Sequence, residues 1–285
     1  MLSSLLLAVL AASGGSCRSM PIPESPLYLG AAPKAAVTRV VSLAPSLTQT
    51  VVALGGADRL VGVSRFDELP EVASLPRVGG FTDIAVEVVI GLKPDLVLTV
   101  ASPMNRKSVE TLSKLGIPVL SVPMRDMEDV VEAIQAIARP LKLGAKAEAL
   151  VGEIARARAR IREKAKARPH PRVLFVYGFT PLVVAGAGSF TDDLLRDVGA
   201  INVMGDESCP VNSYSPESAI LAKPDVIIDG GGSTRGRESL QELPGLKNAR
   251  WVTLSSAELL QPGPGLIRGL EELFSVLAAD PARGR

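Results

Sequence analysis

Two glutamates occupy matching places in a pattern that occurs twice along the chain. Glu87 lies in VEVVIGLKPDLVL and Glu217 in PESAILAKPDVII, and Lys-Pro-Asp and an apolar run follow each at the same spacing. Each falls in the first turn of a predicted helix, where a carboxylate interacts favourably with the helix dipole by about 0.3–1 kcal/mol. A matched pair of exposed carboxylates also suits docking on paired basic groups of a partner. The residues alone leave both interpretations open.

The side chains that catalysis would need do not form a recognisable set. The only histidine, His170, lies between prolines beside the longest predicted helix. No nucleophile-elbow, phosphate-loop or zinc-protease motif is present in functional form. One histidine and two cysteines also cannot supply the ligands of an ordinary zinc site. We therefore expect a binding protein and not an enzyme, with no cofactor and no resident metal.

The repeat extends upstream of each glutamate and indicates how the chain is organised. Residues 44–48 (APSLT) match residues 187–191 (AGSFT), and a glycine, Gly56 or Gly199, follows each threonine at the same distance. A repeat this long exceeds the short periods of solenoids and propellers, and strands alternate with helices in both copies. The sequence predicts an α/β fold of two similar lobes with mainly parallel sheets and a ligand cleft between them.

A long helix is predicted to join the two lobes. Residues 144–168 are rich in Ala, Glu, Lys and Arg, which are good helix formers; a helix of about 24 residues would be about 36 Å long. We interpret its basic second half as a solvated face. The predicted boundaries are 37–142 for the N-terminal lobe, 143–169 for the connecting helix and 170–280 for the C-terminal lobe.

The N-terminal residues are typical of an export signal. LLLAVLAA is followed by small residues and Cys17, and eight apolar residues are too few for a membrane span, which needs about 20. Residues 1–17 resemble a bacterial lipoprotein signal that would be lipidated at Cys17; cleavage near Ser16 as an ordinary signal peptide is the alternative. Residues 18–36 read as a flexible tether. We expect a periplasmic or otherwise extracytoplasmic protein that contacts the membrane through a lipid anchor only.

Composition narrows the class of partner. The net charge is +1 and 47% of the residues are hydrophobic, so the chain has a packed core and no electrostatic footprint for nucleic acid. If Cys17 is lipidated, Cys209 has no disulfide partner, and we interpret it as a small, partly buried side chain. We expect a monomer.

The cleft should be lined by loops at one edge of each sheet. Open α/β sheets bind ligands beyond the carboxyl ends of their strands, which selects the loops after Leu43, Ser64, Val100, Tyr177 and Asp229. Helices are predicted to begin at Ser46 and Ser189. We interpret both serine side chains as N-caps and their backbone amides as groups that could contact a ligand.

Several stretches together resemble a known family. VVSLAPSLTQTVVALGGADRLVGVS, LPRVGGFTDIAVEVVIGLKPDLVLT and VVAGAGSFTDDLLRDVGAINV are similar to the vitamin B12, haem and ferric-siderophore periplasmic binding proteins, the substrate-binding components of ABC importers. The likeness runs from about Val37 to Leu277. It implies that Glu87 and Glu217 dock on arginines of the permease dimer and that the joining helix limits cleft motion. It also implies a metal chelate as ligand, because the bare-ion relatives use histidine-rich sites.

The resemblance also supplies candidate ligand-binding residues. Phe81 falls where the vitamin B12 binders place a cleft aromatic. The other candidates are aromatics at predicted loop tips, two loop arginines and the proline of the first repeated turn, namely Phe66, Tyr177, Phe179, Tyr214, Arg65, Arg235 and Pro45. Aromatic rings could stack on a flat ligand and arginines could pair with its carboxylates or phosphate; burial in the lobe cores and exposed loop cations are the alternatives.

A corrinoid such as vitamin B12 is the expected ligand. Anionic catecholate siderophores attract several cleft arginines, and this chain has few; in particular, Gly265 lies where an arginine is common in the family. A ferric siderophore or haem is the alternative ligand. A ligand-sensing protein that is not coupled to import is the alternative of another class.

Overall fold

The N-terminal lobe is built on one twisted sheet. The computed structural model describes residues 22–204, 211–233, 235–256 and 258–278, so the predictions for residues 1–17, Cys17 and Cys209 lie outside the described residues. The elements of this lobe are β1 (Leu27–Leu29), β2 (Val40–Ser42), α1 (Pro45–Ala53), β3 (Leu60–Gly62), α2 (Val86–Gly91), β4 (Leu96–Val100), α3 (Arg106–Lys114), β5 (Val119–Val122) and α4 (Met127–Leu141). The strand order is β1-β5-β4-β2-β3, and β1 alone is antiparallel to its neighbour.

The C-terminal lobe repeats this plan after a connecting helix, α5 (Gly144–Ala165). Its elements are β6 (Arg172–Phe179), β7 (Leu182–Ala185), α6 (Phe190–Asp197), β8 (Ile201–Asn202), β9 (Val211–Tyr214), α7 (Pro216–Leu221), β10 (Val226–Ser233), α8 (Arg237–Gln241), β11 (Arg250–Thr253) and α9 (Leu266–Ala278). The strand order is β11-β10-β6-β7-β9, with β8 also paired to β6. Strand β7 is antiparallel to both neighbours. The predicted α/β fold of two similar lobes with mainly parallel sheets is confirmed.

The two sheets share one hydrophobic core. Along β4, Leu96 and Leu98 pack in a central cluster that also contains residues of α1, α4, α5, α6 and α9, whereas Val97 packs in an outer cluster against α2 and α3. Along β6, Phe175 faces the central cluster and Leu174 faces an outer cluster that includes residues of α7 and α8. Side chains alternate between faces because successive Cβ atoms of a strand point to opposite sides. A layer of helices therefore lies between the two sheets.

The connecting helix is attached to the C-terminal lobe by ion pairs. The buried carboxylate of Asp197 accepts hydrogen bonds from Arg158 and Arg162 of α5, and Arg160 lies 2.6 Å from Glu271 of α9. The interpretation of the basic half of this helix as a solvated face is therefore wrong for Arg158, whose side chain is largely buried.

The N-terminal segment differs from the predicted tether. Residues 27–29 form β1 and pair with β5, with Leu27 opposite Ser121, and the Arg125 guanidinium donates to the Glu24 carbonyl at 2.9 Å. This strand covers an edge of β5 that would otherwise expose unpaired backbone groups. Among the helices of the described residues, none combines the length and the apolar character needed to cross a bilayer.

Candidate functional site

Besides the shared core, backbone contacts join the two lobes at two places, which we call the lobe junction. The amide of Phe190, in the first turn of α6, donates to the Arg125 carbonyl at 2.7 Å, and the amide of Met127 donates to Asp193 Oδ2 at 3.0 Å. Because Arg125 lies three residues after the end of β5, this contact lies beyond the carboxyl end of a strand of the N-terminal sheet.

The second contact joins α1 to the segment before α9. The backbone of Gly263 packs on Ser46 so closely that a Cβ there would lie 3.2 Å from the Ser46 carbonyl oxygen. Beside it, Gln49 Nε2 and Gln261 Oε1 are 3.5 Å apart. Since α1 follows β2 and the Gly263 segment follows β11 in the chain, the carboxyl edges of both sheets border the junction. This is where open α/β sheets bind ligands.

The loop after β3 presents two of the predicted ligand-binding residues. Arg65 and Phe66 are exposed, and the Arg65 guanidinium forms an ion pair with Asp83 and lies 5.5 Å from the Phe66 ring centroid. The hydrogen bond from Arg65 lowers the pKa of Asp83. Gly80 lies under this pair, and a side chain there would collide with both partners. The half-buried Phe81 follows Gly80, so the ion pair ties the loops of Phe66 and Phe81 together.

An exposed methionine adjoins this region and was not singled out from the sequence. Met104, in the loop after β4, is 68% exposed, and Phe66 is 57% exposed. Strands β3 and β4 flank β2 in the sheet, so the loops that carry Phe66 and Met104 follow the strands on either side of the one that leads to the half-buried Pro45 of α1. We call Pro45, Phe66 and Met104 the apolar rim. In the sequence, Met104 is marked only as a methionine in the Ala-Ser-Pro-Met loop that follows a predicted strand.

Of the two serines predicted to cap helices, Ser189 does so and Ser46 does not. Ser189 caps α6, with its hydroxyl accepting from the Asp192 amide at 3.1 Å. The prediction for Ser46 is wrong: Ala44 is the N-cap of α1 and Pro45 occupies the first turn. Proline is favoured there because that amide has no partner within the helix, so the N-cap lies two positions earlier than the predicted Ser46.

Two of the predicted cleft aromatics pack inside the C-terminal lobe. The Tyr177 hydroxyl donates to Thr191 Oγ1 at 2.6 Å, its ring lies edge-on to Phe175 at 5.2 Å, and burial raises the pKa of Tyr177. Phe179 is 7% exposed and stacks on Trp251 at 6.3 Å. Packing and hydrogen bonding account for both rings, and we leave them out of the proposed site.

The remaining candidates lie at the carboxyl edge of the C-terminal sheet. The half-buried Tyr214 ends β9, three residues before Glu217, and Arg235 is exposed in the turn before α8. Arg237, which sequence reasoning missed, donates to the buried Asp229 at 2.8 Å, and its guanidinium lies 5.8 Å from the Trp251 ring centroid. These residues place cationic groups at the carboxyl edge of the C-terminal sheet.

Glu87 and Glu217 occupy equivalent exposed positions. Each lies in the first turn of a short helix, α2 or α7, as the repeat predicts. Hydrogen bonds from its own backbone amide and from the Ser215 hydroxyl lower the pKa of Glu217. Exposed apolar side chains adjoin both glutamates, with Val88 and Ile90 on α2 and Leu221 on α7.

The single histidine lies away from the cleft. His170 precedes β6, at the amino end of the sheet, and its Nδ1 is 2.6 Å from the Gly199 carbonyl oxygen. Within the part of the chain that the structure describes, no three His, Cys, Asp or Glu side chains are grouped closely enough to hold a metal ion.

Comparison with known proteins identifies the family. Residues 40–251 match the family described as periplasmic binding protein. The vitamin B12-binding protein of Vibrio vulnificus (strain YJ016) is 27% identical over 258 residues, which cover 86% of this chain and 92% of that protein. The one of Salmonella typhimurium (strain LT2) is 28% identical, with 89% and 93% covered.

The solved structures agree with this match. A periplasmic haem-binding protein from Pseudomonas aeruginosa is 29% identical, with a TM-score of 0.71 and coverage of 86% of this chain and 95% of that chain. The family match spans most of both lobes and confirms that this is a binding protein and not an enzyme. The chain belongs to the periplasmic binding protein family.

Proposed function

We propose that this chain is the solute-binding component of an ABC importer and that its cargo is a corrinoid. The apolar rim is the observation that carries the proposal, because exposed Phe66 and Met104 at the carboxyl edge of a sheet suit a large ligand with an apolar face. The relatives named vitamin B12-binding proteins, which align with most of this chain, support a corrinoid as that ligand.

Haem is the second candidate, and a separate observation favours it. Arg65 and Arg235 are exposed in the loops around the cleft, and arginines pair well with carboxylates such as the two propionates of haem. Arg65 would exchange its pair with the exposed Asp83 for one of them. The haem-binding protein from Pseudomonas aeruginosa is as similar to this chain as the vitamin B12-binding relatives are.

Calorimetric titration of the purified protein with cyanocobalamin and, in parallel, with haemin tests the proposal. We expect one-to-one binding of cyanocobalamin with a Kd below about 1 μM. If the folded protein gives no heat with cyanocobalamin and binds haemin, the cargo is haem. If neither binds, a ferric siderophore becomes the cargo to test and the corrinoid proposal is wrong.

The delivery step is proposed to use Glu87 and Glu217 as contacts for basic groups of the two permease subunits. Their exposure at equivalent places on the two lobes supports this role, since charged pairs at an interface steer association and fix its orientation. The exposed Val88, Ile90 and Leu221 beside them would add apolar contact area.

A matched set of variants separates docking from helix stability. Glu128 is also an exposed first-turn glutamate, on α4, so Glu128→Gln controls for the loss of a favourable helix-dipole interaction. We expect the double variant Glu87→Gln, Glu217→Gln to retain cyanocobalamin affinity and to lose most uptake in cells that depend on this protein. Unchanged uptake would contradict the docking role of the two glutamates, whereas uptake that does not depend on the wild-type protein would favour a ligand sensor that is not coupled to import.

Membrane attachment through a lipid on Cys17 is also part of the proposal, together with a monomeric state. Both rest on the sequence, because residues 1–21 lie outside the described part of the chain. Fractionation of cells that express Cys17→Ser should move the protein from the membrane fraction to the soluble fraction. Retention of this variant on the membrane would contradict the lipid anchor.

A further inference from the structure

A buried carboxyl lies directly beneath the loop that presents Arg65 and Phe66. Asp67 is 4% exposed, although both residues before it are exposed. Its Oδ2 accepts a hydrogen bond from Ser64 Oγ at 2.7 Å, and its amide donates to the Ser64 carbonyl at 3.3 Å. Ser64 Oγ in turn accepts from the Phe66 amide at 3.3 Å. The Asp67 carboxyl therefore closes the turn from which Arg65 and Phe66 project.

The same carboxyl adjoins a chain of buried hydroxyls. The Thr48 hydroxyl of α1 lies beside Asp67 and is 2.8 Å from Ser42 Oγ. Ser42 Oγ donates to the carbonyl of Ala44, the N-cap of α1, at 3.1 Å. Ser42, Thr48 and Ser64 are all buried. This network links the turn that carries Pro45 to the turn that carries Phe66, so it lies under two of the three residues of the apolar rim.

The carboxyl has no ion-pair partner among the described residues. Its Oδ1 is buried without a hydrogen-bond partner. The charged side chain that acts on Asp67 is Arg77, from the segment after β3, and Arg77 is exposed and donates instead to the Ser64 carbonyl. An unpaired carboxylate is costly to bury. Burial accordingly raises the pKa of Asp67, against the lowering effects of Ser64, Thr48 and Arg77.

We propose that Asp67 is a positioning residue: its protonated carboxyl holds the Ser64–Asp67 turn in the conformation that presents Arg65 and Phe66, and ligand binding weakens when it ionises. A proton on Oδ1 turns that oxygen into a donor toward the Thr48 hydroxyl, which itself donates a hydrogen bond to Ser42 Oγ, while Oδ2 still accepts from Ser64. An ionised carboxyl gains by moving toward water, and such a movement would carry Phe66 with it. This role rests on the proposed function of the cleft.

Variants at Asp67 and at an exposed aspartate of the same lobe test the proposal. Asp67→Asn keeps the shape of the side chain and cannot ionise, and Asp58→Asn, at an exposed site outside the cleft, is the matched control. Cyanocobalamin affinity would be measured from about pH 4 to about pH 8, and the titration of Asp67 followed by carboxyl ¹³C NMR on ligand-free protein. We expect wild-type and Asp58→Asn affinities to fall about tenfold or more as Asp67 ionises, whereas Asp67→Asn keeps its low-pH affinity throughout.

Identical pH profiles for the wild type and Asp67→Asn would overturn the proposal. If neither cyanocobalamin nor haemin binds, the proposed function fails and hydrogen exchange of the Arg65 and Phe66 amides decides the positioning role. After correction for the intrinsic pH dependence, we then expect exchange in the wild type to accelerate as Asp67 ionises and exchange in Asp67→Asn to stay constant. Equal exchange in both proteins would leave Asp67 no positioning role.

Discussion

Arg39 and Arg172 hold the C-termini of two equivalent helices, one in each lobe, in the same way. Each guanidinium donates to two consecutive carbonyls at the end of the short helix that carries Glu87 or Glu217. The acceptors are Leu92 at 2.7 Å and Lys93 at 3.2 Å in one lobe, and Ala222 at 2.7 Å and Lys223 at 3.3 Å in the other. The internal repeat therefore extends to the side-chain contacts that position the two glutamates.

Removal of either arginine should destabilise the protein to a similar extent. Arg39→Met and Arg172→Met each remove charged donors from carbonyls at a helix C-terminus, and we expect each to lower the free energy of unfolding in urea by about 1 kcal/mol. Arg106→Met, which removes an exposed pair with Glu110 within α3, should cost less than about 0.5 kcal/mol. Equal losses for all three variants would show that the helix-end contacts have no special role.

Asp197 anchors the connecting helix, and its removal should be severe. Asp197→Ala leaves Arg158, whose side chain is 19% exposed, without its carboxylate partner. Loss of one member of a buried ion pair costs about 3–5 kcal/mol, and the partial exposure of Arg162 places our expectation at the lower end. Urea unfolding would measure the loss. If adding Arg158→Met to Asp197→Ala restores no stability, the uncompensated charge of Arg158 is not the cause of the loss.

The stability contributed by Asp95 should depend on pH. Burial pushes the pKa of Asp95 up, but hydrogen bonds from the Thr38 amide and hydroxyl and the Arg39 amide outweigh it and lower the pKa. A lowered folded-state pKa gives stability that is present above the unfolded pKa of about 3.9 and lost as pH falls through the folded value. Asp95→Asn should therefore destabilise the protein at neutral pH and less in acid. Urea unfolding of Asp95→Asn, Thr38→Val and the double variant measures the coupling energy between Asp95 and Thr38. A coupling energy that is the same in acid as at neutral pH would contradict this prediction.

The repeat and the alternation of apolar runs with helices were enough to predict the two lobes, but not which rings face the cleft. Strict alternation along β6 would place Phe179 on the same face as Phe175 and Tyr177. The pairing of β6 with β7 instead shifts register between Val176 and Gly178, and Phe179 packs in the outer cluster. A bulge of this kind reverses the direction of the side chains that follow it. Gly178, at the register shift, is a local mark of such a bulge, but it does not specify the direction that Phe179 takes.

The sequence also does not show which charged residues from different loops form ion pairs. The sequence leaves two interpretations of Arg65 open, a ligand contact or an exposed loop cation, and neither includes its pair with Asp83, beneath which Gly80 lies. The choice of partner depends on where two loops meet, which residue type and spacing do not determine. The positions of Glu87 and Glu217 in the first turns of their helices could be predicted from the sequence, because a helix start and a Lys-Pro boundary are local features.

The apolar rim should govern ligand affinity. Phe66→Ala and Met104→Ala each remove an exposed apolar side chain beside the cleft, and we expect each to weaken cyanocobalamin binding about tenfold or more, because burial of such a side chain contributes about 1.5–3 kcal/mol. Leu115→Ala is the matched control, since Leu115 is 58% exposed and lies at the end of α3, beyond the amino end of β5. Isothermal titration of the three variants measures the effect. Affinities equal to the Leu115→Ala value would place the ligand elsewhere, whereas a loss confined to Phe66→Ala would restrict the contact to the loop that Asp67 supports.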